Sequence, residues 1–207
     1  MGLKLERVSR TPQQLIDELH GLADVDWETV WNGPPYPGQG LDMWCAQFNW
    51  VPTSFERILS VRTDTEGELT LFPSGGSWAP VLSVVQNQWG AWAETGPDNP
   101  LVLERAEHVW PLYLTAACSA LGEPTWEGAW DSDDFPEQLG GYRIPDRTER
   151  IEDQDPYRLA YWMPRSPDRP LVVVDLGTGL GVTGTENPSG ANLNLTICPG
   201  PSGSVRP

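Results

Sequence analysis

Carboxylates crowd one short stretch of the sequence, and their spacing first suggests a bound cation. Asp131 and Asp133 stand at the first and third positions of a calcium-binding EF-hand loop that would begin at Asp131, and Asp134 lies beside them. Such a loop also needs glycine at its sixth position and glutamate at its twelfth, and here those positions hold Pro136 and Tyr142. We therefore predict no metal site, and we interpret the acids as a solvated surface that attracts a basic partner.

The other residues with catalytic potential lack partners in the sequence. Two glutamates and His108 share a helical stretch, but spacings of three and four residues occur on any exposed helix face. The three cysteines, Cys45, Cys118 and Cys198, are far apart and form no CxxC pair, which predicts free thiols in a reducing, cytoplasmic setting. We predict no catalytic residue and no cofactor.

The glycine-rich string VVVDLGTGLG, from Val172 to Gly181, resembles motif I of methyltransferases that use S-adenosylmethionine. In that family a buried strand enters a glycine turn beneath the cofactor, and this strand comes first in a doubly wound fold. The residues after Gly181 are too few, and too rich in Gly, Pro and Asn, for the helix and strands that must follow. We predict instead a late β-strand that ends in a glycine turn.

The 11 tryptophans are the main anomaly of the composition. An indole N–H needs a hydrogen-bond partner, so tryptophan favours half-exposed positions and protein interfaces. Four of the tryptophans form two pairs with a spacing of four residues, and each pair lies beside several acids. We predict a binding surface formed by these rings and by the acidic stretch, namely Trp27, Trp31, Trp126, Trp130, Asp131, Asp133 and Asp134.

The net charge of −16 at pH 7 limits the classes of partner. Proteins bind nucleic acid and anionic membranes through Lys and Arg, and this chain has only 13 such residues against 29 acids. We therefore predict no nucleic-acid partner and no membrane partner. No apolar run is long enough to span a bilayer, and the amino terminus has no apolar signal region. An acidic surface of this kind favours a basic protein as the partner.

Two helices are predicted from their end signals. Thr11-Pro-Gln-Gln14 is a capping box with proline at the first helical position, so a short amphipathic helix is expected over residues 12–21. An apolar stripe predicts a second helix over residues 101–121, with Gly122 after its end and Pro111 as a kink or break inside it.

Most other apolar segments are β-branched and bounded by turn residues, which predicts strands. These segments are residues 43–50, 55–63, 68–72, 78–88, 157–163, 171–176 and 193–197. We therefore predict an α+β fold: an antiparallel sheet of about six or seven strands with two or three helices packed on one face. Residues 1–207 are expected to form a single domain, with an acidic loop or linker at about 127–156 and a mobile tail at about 199–207.

The segment PLYLTAACSALGEPTW, from Pro111 to Trp126, followed by the strand-like YRLAYWM, resembles small actinobacterial proteins of the immunity type. Such proteins neutralise polymorphic toxins by binding them, so the resemblance implies a non-enzymatic function and a protein partner. Together with the charge, it favours an acidic binding protein that covers a basic toxin or effector. Two alternatives remain: a carbohydrate- or small-ligand-binding module with a tryptophan platform, and a phage-encoded accessory or anti-defence protein.

Overall fold

The computed structural model describes residues 3–4, 10–56, 58–74, 79–166, 169–179 and 187–200. Within these residues the chain forms one antiparallel sheet of nine strands and five α-helices, so the predicted fold class is confirmed. The strands are β1 (Leu3–Lys4), β2 (Val51–Phe55), β3 (Leu59–Arg62), β4 (Glu68–Pro73), β5 (Val81–Ala93), β6 (Trp126–Ala129), β7 (Arg158–Trp162), β8 (Leu171–Thr178) and β9 (Gly190–Cys198). The helices are α1 (Pro12–Leu22), α2 (Trp27–Trp31), α3 (Gln39–Ala46), α4 (Asn99–Leu121) and α5 (Arg147–Asp153).

The strand order is symmetric about its centre. It runs β2-β3-β4-β5-β9-β8-β7-β6, with β1 added beside β5. Each half is therefore a meander of four consecutive strands. Helices α1, α2 and α3 precede the first meander in the chain, and helix α4 precedes the second. The last strands of the two meanders, β5 and β9, pair antiparallel at the centre, where Asn87 lies opposite Asn194. We call the β5–β9 pairing the seam.

Two helices begin and end as their sequence signals predict. The Thr11 hydroxyl accepts a hydrogen bond from the Gln14 N–H, and the Gln14 side chain accepts one from the Thr11 N–H, which completes the capping box of α1. Helix α4 contains Pro111 without a break and ends at Gly122, whose φ of 84° favours glycine.

The strand predicted over residues 43–50 is wrong, because the apolar residues in this region have the spacing of a helix. Residues 39–46 form α3, because Leu41, Trp44 and Cys45 lie on one side of a helix and are buried in the core. The strand predicted over residues 55–63 corresponds to β3, whereas β2 and the edge strand β6 were not predicted. The sheet therefore has more strands than predicted, and the described helices outnumber the two or three expected.

Helices α1 to α4 cover one face of the sheet, and the main hydrophobic core lies between them. A buried ion pair lies inside this layer, between the residues before α1 and α1 itself: Arg10 Nη2 lies 3.0 Å from Glu18 Oε2. The same carboxylate accepts hydrogen bonds from Thr63 Oγ1 at 3.0 Å, from Gln86 Nε2 at 2.9 Å, and from Thr65. Oε2 of Glu18 thus has four partners, which offsets the cost of burying the carboxylate.

On the opposite face of the sheet, the described residues outside the strands cover one half. Residues 127–156 were expected to form an acidic loop or linker. Residues 127–129 belong instead to β6, and residues 130–156, which we call the cover, contain α5 and part of a small hydrophobic cluster. Phe135 and Leu139 of the cover are buried against β7, β8 and β9. In the other meander the connection between β2 and β3 is short, and Phe72 on β4 remains 40% exposed. No described helix is both long and apolar enough to cross a membrane.

Candidate binding surface

Strand β6 is an edge strand, and the chain leaves it in a tight turn that we call the acidic loop, residues 130–135. Asp131, Asp133 and Asp134 lie on this loop, and all three are exposed to solvent. Phe135, at the end of the loop, is buried. The structure therefore brings the three predicted acids together on one surface, and a buried aromatic ring fixes the end of the loop that carries them.

Trp126 lies half-buried beside the acidic loop, and contacts hold its ring in one orientation. Its indole N–H donates a hydrogen bond to Asp134 Oδ2 at 3.1 Å. The ring packs edge-on against Phe135, with centroids 5.1 Å apart, and stacks with Tyr161 at 6.2 Å. A side chain that is already ordered loses less entropy when a partner binds. Trp126 is therefore well placed to serve as an anchor.

Trp130 is half-buried, and its backbone is held by helix α5. Its carbonyl oxygen accepts a hydrogen bond from Arg150 Nε at 2.7 Å. The Arg150 guanidinium also lies 4.0 Å from the centroid of the Phe135 ring, a cation–π contact. Since Arg150 is buried, the charge that the acidic loop presents to solvent is negative.

The second predicted tryptophan pair lies on the other side of the sheet. Trp27 is only 2% exposed, and its Nε1 donates to the Leu22 carbonyl at 3.3 Å. Trp31 is half-buried and stacks on Trp27, with ring centroids 5.1 Å apart. Trp27 is thus part of the main core, and the structure does not bring this pair together with Trp126 and Trp130.

The tryptophans are mostly structural. Of the ten in the described ranges none is exposed, since six are buried and four are half-buried. The buried six are Trp27, Trp44, Trp50, Trp89, Trp110 and Trp162. Most available indole surface therefore belongs to the half-buried four, Trp31, Trp92, Trp126 and Trp130, of which two lie at the acidic loop.

A buried carboxyl group that was not predicted from the sequence lies beneath the cover. Asp175 on β8 is 8% exposed and accepts hydrogen bonds from Asn194 Nδ2 at 3.1 Å and Thr196 Oγ1 at 3.5 Å. Burial raises the pKa of Asp175 to about 7, and the nearby Asp155 carboxylate also raises it, whereas hydrogen bonds from Asn194, Tyr142 and Thr196 lower it. Among the described residues Asp175 has no cationic partner. The sequence signal was an acid inside the apolar run Val-Val-Val-Asp-Leu.

The glycine-rich string around Asp175 forms a late strand, as predicted. Strand β8 pairs antiparallel with β7 on one side and with β9 on the other. A cofactor strand of a doubly wound fold lies instead in a parallel sheet. The turn that was predicted to follow, around Gly181, lies outside the described residues.

The three cysteines are unpaired in the described structure. Burial raises the pKa of both Cys45 and Cys198 to about 12, and the carboxylates of Asp42 and Asp175 respectively add to these shifts. Burial also raises the pKa of Cys118. Thiols with raised pKa values are poor nucleophiles. No group of three or more potential ligands among the described side chains could hold a metal ion.

The fold and the surface together define an α+β protein with a symmetric antiparallel sheet and an acidic, tryptophan-bearing loop at one sheet edge. Comparison of the chain with protein-family models, with curated proteins and with solved structures found no match.

Proposed function

We propose that this protein is a non-enzymatic, immunity-like binding protein that neutralises a basic toxin or effector in the cytoplasm. The acidic loop and Trp126 form the contact surface. The observation that carries the proposal is the hydrogen bond from the Trp126 indole to Asp134, because it fixes an aromatic ring within a group of exposed carboxylates. Interfaces commonly combine one such ordered aromatic anchor with a charged surround.

The charge of the whole chain supports the same partner class. A net charge of −16 attracts a basic protein over a distance and raises the association rate, while buried anchors limit dissociation. The acidic loop adds two features to this general attraction. Its carboxylates lie on a turn whose end is fixed by the buried Phe135, and the loop follows an edge strand of the described sheet.

A co-expression experiment tests this function. Each protein encoded beside this gene is expressed with and without the present chain, and growth rescue identifies a neutralised toxin. Association with the rescued toxin is then measured at about 0.05 M and about 0.5 M salt. We expect the triple variant Asp131→Asn, Asp133→Asn, Asp134→Asn to associate about tenfold more slowly at low salt, and the difference to shrink at high salt.

The matched control removes the same charge from the helical side of the sheet. Its substitutions are Asp17→Asn, Asp24→Asn and Glu28→Gln, all at exposed positions on the helical side. We expect an effect on association of less than about threefold, since these acids act only through the long-range field. A larger effect of the control triple would place the interface at α1 and α2, and rescue by no neighbouring basic protein would contradict the immunity-like function.

A further inference from the structure

A groove of about 640 Å³ opens on the helical side of the sheet, between the C-terminal ends of α1 and α4. Trp162, Val172 and Ile197, from three neighbouring strands, line its floor. Leu22 of α1 and Leu121 of α4 line opposite walls. Of the floor residues Val172 is half-buried, whereas Trp162 and Ile197 are 7% and 2% exposed, so the groove opens at the margin of the main core. Its volume lies within the range of roughly 300–1,000 Å³ that is usual for small-molecule sites.

The polar groups of the floor already have partners. The Trp162 indole N–H donates to the Gly122 carbonyl at 2.8 Å, and the Trp27 indole N–H is occupied by Leu22. The floor therefore offers no free indole donor to a sugar hydroxyl. What it offers is apolar surface, which favours an alkyl or aromatic body.

The border of the groove is basic, although the chain as a whole is acidic. Arg165 and Arg169 both line the groove and both are exposed. Within the described part of the chain neither forms an ion pair, and Arg169 donates to the backbone carbonyl of Ala23. Glu123 is the carboxylate among the lining residues. Among the described lining residues two guanidinium groups thus stand against one carboxylate, which favours an anion, and a guanidinium matches the geometry of a carboxylate.

We propose that this groove binds a small organic acid, whose apolar body lies on Trp162, Val172 and Ile197 and whose carboxylate pairs with Arg165 and Arg169. The site is independent of the proposed contact with a toxin, because the acidic loop lies beyond the opposite face of the sheet. Either proposal can fail without the other.

Calorimetry with decanoate, and with 1-decanol as the uncharged probe of equal chain length, tests the site. We expect saturable binding of decanoate to the full chain below about 1 mM, and weaker binding of decanol. The double variant Arg165→Gln, Arg169→Gln should weaken decanoate binding about tenfold and change decanol binding less than about twofold. The control double variant Arg62→Gln, Arg147→Gln removes two exposed arginines elsewhere and should leave both affinities unchanged.

A second variant blocks the groove without changing the charge. Ala120 lies on the α4 wall, so Ala120→Trp places an indole in the space that the apolar body would occupy. It should reduce the binding of both probes at least about tenfold. Equal affinities for the two probes, no saturable binding of decanoate, or undiminished binding by folded Ala120→Trp would each overturn the proposal. A peptide with an apolar C-terminal residue that binds where decanoate does not would assign the groove to a chain terminus instead.

Discussion

Asp175 is a buried carboxyl group whose hydrogen bonds come from neutral side chains. Burial favours its protonated form, so the folded protein holds this proton at pH values where the unfolded chain has released it. The stability that the group contributes is fully present below the unfolded pKa of about 3.8 and is lost as the pH rises towards the folded value of about 7. Ionisation of Asp175 on β8 therefore lowers the free energy of unfolding as the pH approaches and exceeds 7.

Asp175→Asn should remove this loss of stability, because asparagine is nearly isosteric and carries no charge. We expect the free energy of unfolding to rise by about 2 kcal/mol or more near pH 8 and to change little near pH 4, since each pKa unit corresponds to about 1.4 kcal/mol. Urea unfolding at the two pH values measures the difference.

The exposed Asp133→Asn provides the control for this prediction and should change stability little at either pH. Equal stabilisation by Asp175→Asn at both pH values would show that charge is not the cause. Destabilisation near pH 8 would show that the hydrogen bonds outweigh the cost of burial.

At the scale of elements, the turn between β3 and β4 packs tightly against α1. Gly67 lies in this turn, and a Cβ atom added to it would overlap Gln86 Nε2 and Glu18 Oε2. Both atoms belong to the buried network around the Arg10–Glu18 ion pair, so neither can move without losing a hydrogen bond. The turn therefore tolerates only glycine at this position.

Gly67→Ala should destabilise the protein by about 1–3 kcal/mol, the usual cost of overpacking, through displacement of the Glu18 network. Gly21→Ala is the matched control. A Cβ at Gly21 in α1 would have only Asp64 Oδ1 nearby, at 3.9 Å, and alanine is the better helix former. Thermal unfolding should therefore show opposite shifts for the two variants, and a neutral Gly67→Ala would contradict the packing of the turn.

Local signals made several elements predictable. The capping box at Thr11 and the stop at Gly122 marked the ends of α1 and α4, because both depend on neighbouring residues alone. Helix α3 was mistaken for a strand, since the apolar residues Leu41, Trp44 and Cys45 show their helical spacing only in a short window. The burial of Trp27 and the cover over β7 to β9 depend on contacts between distant segments, which no local pattern encodes.

The sequence predicted which residues the acidic loop contains, but not the contacts that hold the loop in place. The sequence placed Trp126, Trp130 and the three acids within nine residues, so their proximity followed directly. The support from Arg150 and Phe135 arises only when the cover folds back on the sheet. The groove border was also missed, because Arg165 and Arg169 stand in a proline-rich connection whose neighbours α1 and α4 are distant in sequence.

For the whole molecule, the two meanders are alike in topology and differ in what lies on the face away from the helices. The second meander carries the cover, the acidic loop and Asp175, whereas none of the described connections of the first meander covers the corresponding face. The helical face is shared, and the groove opens there between one helix from each half. The acidic loop therefore lies where the two halves of the sheet differ, and the groove lies where the two halves meet.

The seam has a consequence for the order of events during folding. Neighbouring strands of one meander are close in sequence, whereas Asn87 and Asn194 at the seam are 107 residues apart. Closing so long a segment costs conformational entropy before the contacts between its ends form. We therefore expect each meander to form early in folding and the β5–β9 pairing to form last. In stopped-flow measurements, Val61→Ala within the first meander should mainly slow refolding. Ala91→Gly, opposite Ala191, should mainly speed unfolding, and the reverse pattern would make the seam the nucleus.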